Sequence, residues 1–132
     1  MTIGRRLSVS AAAAVLAGGL TLALAPSASA AGAVYTGTSS KGGYGVAEIS
    51  ATRYFYACDL GSADGLRVVA HLWPDGHSYQ WVQDANGSNG SCGTGIQLGL
   101  PIGTGYTLRV CLRDGADGID QLCRQERGTI LT

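Results

Sequence analysis

The chain has few of the residues that most often carry out chemistry or bind polyanions. Lys41 is the only lysine, and His71 and His77 are the only histidines. With nine basic and nine acidic side chains in all, no basic face is available for phosphates, so we expect no binding to nucleic acid. Neither histidine lies in a Gly-x-Ser-x-Gly or His-Glu-x-x-His motif. We therefore predict no catalytic residues and no enzymatic activity.

Metal-binding patterns are also scarce. The sequence contains no Cys-x-x-Cys pair and no histidine close to a cysteine, so we predict no zinc site and no cofactor. Residues 84–95 begin like an EF-hand calcium loop, but they lack glycine at the sixth position and glutamate at the twelfth. The aspartate-rich segment 114–120 is compatible with a weak calcium site or with an ordinary solvated turn, and the sequence does not decide between them.

Long apolar runs are confined to the first thirty residues. Arg5 and Arg6 precede an alanine-rich apolar stretch over residues 9–25. Pro26 then precedes residues 28–30, Ala-Ser-Ala, which match the small-x-small pattern of a signal peptidase site. We expect a cleaved secretory signal over residues 1–30, an extracellular product and no membrane attachment after cleavage.

The remaining chain is long enough for one small domain. Residues 31–45 are rich in glycine, serine and threonine, and we predict that they form a flexible N-terminal arm. The β domain is then expected over residues 46–132. A domain of this size buries a modest core, so crosslinks would contribute a large share of its stability.

All four cysteines follow the predicted signal. An even number of cysteines in a small exported chain is typical of disulfides, and four cysteines allow three pairings. We expect Cys111–Cys123, which would close a hairpin between the last two strands. Cys58–Cys92 would then tie the first half of the domain together.

Short segments of alternating hydrophobicity predict β-strands. The clearest is 66–73, in which apolar residues alternate with a second face that includes His71 and Trp73. Pro74-Asp75-Gly76 then favours a tight turn into a return strand at 79–83. The fold class predicted is all-β, a small antiparallel β-sandwich (immunoglobulin-like) or barrel of six to seven strands, held by two disulfides.

Aromatic residues are the strongest functional signal. Tyr54 and Tyr56 would share one strand face, and Tyr79 and Trp81 would share another. If these strands were neighbours, four rings could form a platform for a glycan or a partner protein; alternatively, the rings fill the core. The predicted turn at residues 74–76 adds its two flanking residues, Trp73 and His77. The candidate ligand-binding residues are therefore Tyr54, Tyr56, Trp73, His77, Tyr79 and Trp81.

The order of motifs from Cys58 to Cys123 resembles a known group of proteins. The motifs are Cys58-Asp59, Asp64-Gly65-Leu66-Arg67-Val68-Val69-Ala70, Asp84-Ala85-Asn86-Gly87-Ser88, Cys92, Leu100-Pro101-Ile102, Leu108-Arg109-Val110-Cys111 and Asp120-Gln121-Leu122-Cys123. They are similar to small, signal-bearing, four-cysteine proteins exported by high-GC Gram-positive bacteria. The resemblance implies a structural type and offers no functional residue to transfer.

Two hypotheses of function follow. The first is an exported, non-catalytic binding or surface-associated module whose ligand is an unknown protein or glycan. The second is a secreted inhibitor of an extracellular protease or amylase, by analogy with the bacterial α-amylase and subtilisin inhibitors of similar size. The chain lacks the Trp-Arg-Tyr turn of the amylase inhibitors, and Arg113, near Cys111, is the nearest candidate for a protease-contacting residue. The oligomeric state is not predicted.

Overall fold

The computed structural model describes residues 32–131, which form two antiparallel β-sheets. Eight strands follow one another along the chain: β1 (Gly32–Tyr35), β2 (Gly43–Ile49), β3 (Tyr54–Gly61), β4 (Arg67–Pro74), β5 (Gln80–Asp84), β6 (Ile96–Gln97), β7 (Gly105–Arg113) and β8 (Asp120–Thr129). The first sheet has the order β1-β2-β3-β6, and the second has the order β5-β4-β7-β8. The predicted all-β sandwich is confirmed, with eight strands in this part of the chain rather than six or seven.

The core lies between the two sheets and follows the alternation of the strands. On β4, Val68, Ala70 and Leu72 are fully buried and belong to the central apolar cluster. Phe55 on β3 and Leu108 on β7 are also fully buried in this cluster. Burial of a large aliphatic or aromatic side chain contributes about 1.5–3 kcal/mol each. The alternate residues of β4, which include His71 and Trp73, are thereby turned to the outer face of the second sheet.

The turn between β4 and β5 fixes how the outer residues of these strands approach each other. The main-chain N–H of His77 donates to the Pro74 carbonyl oxygen (3.2 Å), which closes a four-residue turn. Gly76 occupies its third position with a φ of 73°, a conformation that favours glycine. The predicted hairpin therefore forms, and it brings Trp73 and Tyr79 to the same end of the second sheet.

Both predicted disulfides are confirmed. Cys58 on β3 is bonded to Cys92 in the loop that follows β5. Cys111 on β7 is bonded to Cys123 on β8, next to a shift of register in the pairing of these two strands. Leu122, beside Cys123, has a φ of 52°, as expected where a bulge distorts an edge strand.

The N-terminal part of the described chain differs from the sequence expectation. Residues 32–35 form β1, which pairs with β2, and β2 begins at Gly43, so both ends of the described part of the flexible arm predicted over 31–45 are sheet. The glycines that suggested a loose segment stand where other side chains come close: a Cβ atom at Gly43 would meet Asp64, and one at Gly45 would meet Val68. The β domain therefore begins at β1 rather than at residue 46.

Two other expectations concern the first thirty residues and the membrane. The signal predicted over residues 1–30 lies outside the described residues. Residues 32–131 contain no helix with the length and hydropathy that crossing a membrane requires.

Candidate functional site

Three large aromatic side chains are exposed on the outer face of the second sheet. Trp73 is 40% exposed, Tyr79 is 45% exposed and Trp81 is 50% exposed. They point outward because the intervening strand positions, such as Leu72 and Val82, are buried in the core. The alternative that these rings fill the core is therefore wrong. We call the surface formed by these three residues and His71 the aromatic face.

Three rings of the aromatic face stack on one another. The ring centroids of His71 and Trp73 are 5.7 Å apart with an interplanar angle of 17°. Those of His71 and Tyr79 are 6.0 Å apart at 20°, and those of Trp73 and Tyr79 are 5.4 Å apart at 33°. Stacked or tilted aromatic pairs contribute about 0.5–1.5 kcal/mol beyond the area they bury. The stack therefore restrains the exposed rings before any ligand binds.

A chain of hydrogen bonds holds the central histidine. His71 Nδ1 lies 2.6 Å from the Tyr79 hydroxyl, and His71 Nε2 lies 2.9 Å from Asp120 Oδ2. Arg113 Nε donates to the other oxygen of Asp120 (2.7 Å). Since an ionised carboxylate only accepts, Nε2 carries the proton and donates to Asp120. Nδ1 then accepts the hydrogen bond from Tyr79.

The pKa directions agree with this assignment. Burial lowers the pKa of His71 below its usual value, although the neighbouring Asp120 carboxylate opposes the shift. For Asp120, burial acts to raise the pKa, but its contacts with Arg113 and His71 outweigh burial and lower the pKa. At neutral pH, His71 is therefore uncharged and Asp120 is ionised.

Tyr79 does not become a nucleophile through this chain. Burial raises the pKa of its hydroxyl, and the raising effect of Asp120 adds to burial, whereas Arg113 acts in the opposite direction. The hydroxyl therefore stays protonated near neutral pH. The chain of contacts orients the rings and supplies no activated oxygen.

Trp81 connects the aromatic face to an open groove. It stands directly opposite His71 in the pairing of β4 with β5. Beyond Trp81 the groove has a volume of about 570 Å³ and is lined in part by Gln83, Thr94 and Ile96. Apolar rings next to amide and hydroxyl groups can bind a ligand with both flat apolar surfaces and hydroxyl groups.

Polar side chains continue the same face on the other side of His71. Arg109 pairs with His71 across β4 and β7, and Gln125 on β8 pairs with Arg109. The Arg109 guanidinium donates to Cys123 Sγ (3.3 Å). One row across the sheet therefore carries an exposed indole, an imidazole, a guanidinium and an amide.

The remaining candidate residues lie elsewhere. Tyr54 and Tyr56 are on β3 in the first sheet, with ring centroids 6.1 Å apart. Because β3 and β5 belong to different sheets, the four-ring platform considered from the sequence does not form. Burial and Glu48 raise the pKa of Tyr56 to about 12. His77 is exposed in the turn between β4 and β5.

The sequence interpretation missed the contribution of Asp120 and treated Arg113 only as a possible protease-contacting residue. Asp120 follows a glycine-rich turn, where aspartate is common for local reasons. The sequence feature that could have helped to place Asp120 is the predicted disulfide, because Cys111–Cys123 places β8 beside β7. However, nothing in the sequence states that β7 pairs with β4, and this pairing is what brings Asp120 to His71.

One group of potential metal ligands accompanies the aromatic face. A ring nitrogen of His71, the sulfur of Cys111 and a carboxylate oxygen of Asp120 lie within 4.8 Å of one another. The Cys111 sulfur is bonded to Cys123, and the carboxylate is paired with Arg113. With neither a thiolate nor a free carboxylate to offer, this group does not make a metal site.

In comparisons with known proteins, no family model, no curated protein and no solved structure matches this chain.

Proposed function

We propose that this protein is an exported, non-catalytic module that binds a carbohydrate through its aromatic face. The observation that carries the proposal is the exposure of Trp73 on β4, Trp81 on β5 and Tyr79 just before β5, with two of the rings stacked on His71. Contiguous exposed apolar patches are typical of sites that bind a ligand or a partner. The two disulfides are consistent with an extracellular protein.

The chemistry around the rings favours a sugar. A pyranose ring presents C–H groups on its flat faces and hydroxyl groups at its edges. Indole and phenol faces pack against the C–H groups, and the side chains of Gln83, Arg109 and Gln125 lie where edge hydroxyls could be bound. The groove beside Trp81 continues this surface.

The protease-inhibitor alternative receives less support from the structure. Arg113 lies at the end of β7, and its side chain is 19% exposed. Its guanidinium is held by Asp120 (2.7 Å), so an enzyme would have to break this ion pair to bind Arg113 in a specificity pocket. In the reactive loop of a protease inhibitor, by contrast, the residue that enters the specificity pocket lies in an extended loop and is not held in such an ion pair.

Binding to polysaccharides tests the proposal. Affinity electrophoresis and pull-down with cellulose, chitin and purified bacterial cell wall would compare the wild type with Trp73→Ala and Trp81→Ala. We expect each substitution to weaken binding to the retained glycan by roughly 30-fold, as for a hot-spot residue worth about 2 kcal/mol.

The control is Tyr35→Ala. Tyr35 is 53% exposed but lies on β1 in the first sheet, so its loss should leave glycan binding unchanged. If Tyr35→Ala reduces binding as much as Trp81→Ala does, or if no polysaccharide is retained, the aromatic face is not a carbohydrate site.

A further inference from the structure

Several carboxylates converge near the ends of β3 and β5, outside the aromatic face. Asp59 lies on β3, Asp64 lies in the turn between β3 and β4, and Asp84 ends β5. Asp59, Asp64 and the exposed Asp114 line a cavity of about 460 Å³. We call this feature the acidic cavity. The Cys58–Cys92 disulfide is attached to β3 at the residue that precedes Asp59.

The hydrogen bonds of these carboxylates differ. Asp84 is fully buried and satisfied, because its Oδ2 accepts from the Asp59 main-chain N–H (2.8 Å) and its Oδ1 from that of Asn86 (3.2 Å). Asp64 Oδ1 accepts from the Leu66 main-chain N–H (2.8 Å), but the Asp64 Oδ2 atom is buried without a partner. Asp84 is therefore fully satisfied within the protein, whereas Asp64 has one buried oxygen, packed against Gly43, without a hydrogen-bond partner.

Asp59 is the most unusual of the group. The residue is 3% exposed, and no side chain or main-chain group of residues 32–131 forms a hydrogen bond or ion pair with its carboxylate. Burial, with the charges of Asp64 and Asp84, raises the pKa of Asp59 to about 6. Asp59 is thus an enclosed side chain that lines the cavity, has two acidic neighbours and has no hydrogen-bond or ion-pair partner among residues 32–131. Such an arrangement is costly without a counter-charge.

Neighbouring cationic side chains do not supply that counter-charge. Arg67 lines the same cavity, but its guanidinium donates to Gln83 Oε1 (3.2 Å). The ion pairs formed within residues 32–131 involve Asp75 and Asp120. No lysine or arginine in this part of the chain comes within 4.0 Å of the Asp59 or Asp64 carboxylate oxygens.

We propose that the acidic cavity binds a calcium ion through the carboxylate of Asp59 and the free Oδ2 of Asp64, with Asp114 at its rim. The donor set contains oxygen alone, which suits Ca²⁺ better than zinc, a metal that prefers nitrogen and sulfur. Residues 85–88 also line the cavity. Calcium accepts main-chain carbonyl oxygens as well as carboxylates, in irregular geometry. The ion would join β3, the following turn and the loop after β5.

Calorimetric titration and thermal unfolding test this site. Protein freed of metal with a chelator and then dialysed would be titrated with CaCl₂, and with MgCl₂ for comparison. We expect Ca²⁺ to bind with a Kd of about 10⁻⁴–10⁻³ M, as in extracellular modules, and Mg²⁺ to bind more weakly. At ten times the Kd, Ca²⁺ should raise Tm by roughly 5–10 °C.

Two variants and a control identify the residues. Asp59→Asn removes the unpartnered charge, so it should fold with at least the metal-free Tm of the wild type but lose the response to Ca²⁺. Asp64→Asn should also lose most of this response. Asp117→Asn is the control, because Asp117 is an exposed acid outside the cavity lining and should leave the response intact. The proposal would be overturned if the wild-type protein did not bind Ca²⁺. It would also be overturned if Asp59→Asn bound Ca²⁺ with the affinity of the wild type.

Discussion

The Tyr79 hydroxyl lies 2.6 Å from His71 Nδ1, and this hydrogen bond joins the start of the return segment after the turn to the middle of β4. The same histidine is anchored from the other side by Asp120, which comes from β8. One imidazole thus connects three parts of the second sheet. The Trp73 and Tyr79 rings are therefore held by contacts with this histidine rather than by burial in the core.

Removing the Tyr79 hydroxyl should loosen the aromatic face without removing a ring. Tyr79→Phe keeps the stacking surface but leaves His71 Nδ1 without its donor. We expect a loss of about 0.5–1.5 kcal/mol in the free energy of unfolding, the usual range for one hydrogen bond. Urea denaturation of the two proteins measures this difference. Equal stability would mean that the hydrogen bond does not hold the rings.

Asp120→Asn tests the electrostatic part of the same chain. The Asp120 charge acts to raise the pKa of His71, whereas burial lowers it. Without the charge, burial remains, so the pKa of His71 should fall further in the variant. NMR titration of the His71 ring protons measures the shift. A rise in the pKa would show that the Asp120 charge does not raise the pKa of His71.

Asp59 should give the protein an unusual dependence on pH. Its folded pKa of about 6 lies above the ordinary aspartate value of 3.8. The native state therefore binds the proton more tightly than the unfolded state does, and in calcium-free buffer this residue favours folding as the pH falls from about 6 to about 4. The contribution is lost as the pH rises through about 6.

The comparison with Asp59→Asn isolates this contribution. In calcium-free buffer the variant should gain stability relative to the wild type at pH 7, and the difference should shrink toward pH 4. Thermal unfolding at several pH values measures it. Asp114→Asn is a matched control at the exposed rim of the same cavity. A variant that is less stable than the wild type at pH 7 would contradict the assignment of an unpartnered charge.

The two disulfides should contribute unequally to stability. The cysteines of the Cys58–Cys92 bond are 34 residues apart in sequence, and those of Cys111–Cys123 are 12 apart. Chain entropy alone predicts losses of about 4 and about 3 kcal/mol when each pair is replaced by serine. Urea denaturation of the two double variants shows which disulfide contributes more to the free energy of unfolding. A larger loss for the shorter loop would show that native contacts outweigh chain entropy.

Much of the local structure could be predicted from the sequence. The alternation of residues 66–73 correctly identified the outward-facing His71 and Trp73, and Pro74-Asp75-Gly76 correctly predicted the turn. The disulfide pairing also followed from the positions of the cysteines. These features depend on neighbouring residues or on a short list of possible pairings, so a single sequence contains the necessary information.

The order of the strands within the sheets and the structural roles of several residues could not be predicted. Asp120 is 49 residues from His71, and their contact depends on the pairing of β4 with β7. Glycines such as Gly45 resembled a flexible arm, although Gly45 is needed because Val68 occupies the space of a Cβ atom. The carboxylates around Asp59 resembled ordinary turn aspartates until the fold brought them together.

The two tryptophans allow the most direct test of carbohydrate binding. Trp73 and Trp81 are the only tryptophans of the chain, and both lie on the aromatic face, so two indole N–H signals in an NMR spectrum report on this surface alone. Titration with soluble oligosaccharides prepared from cellulose, chitin and bacterial cell wall should shift both signals in a saturable manner with one of these ligands. Indole signals that stay fixed while a glycan binds elsewhere, or that respond to no glycan, would contradict the account.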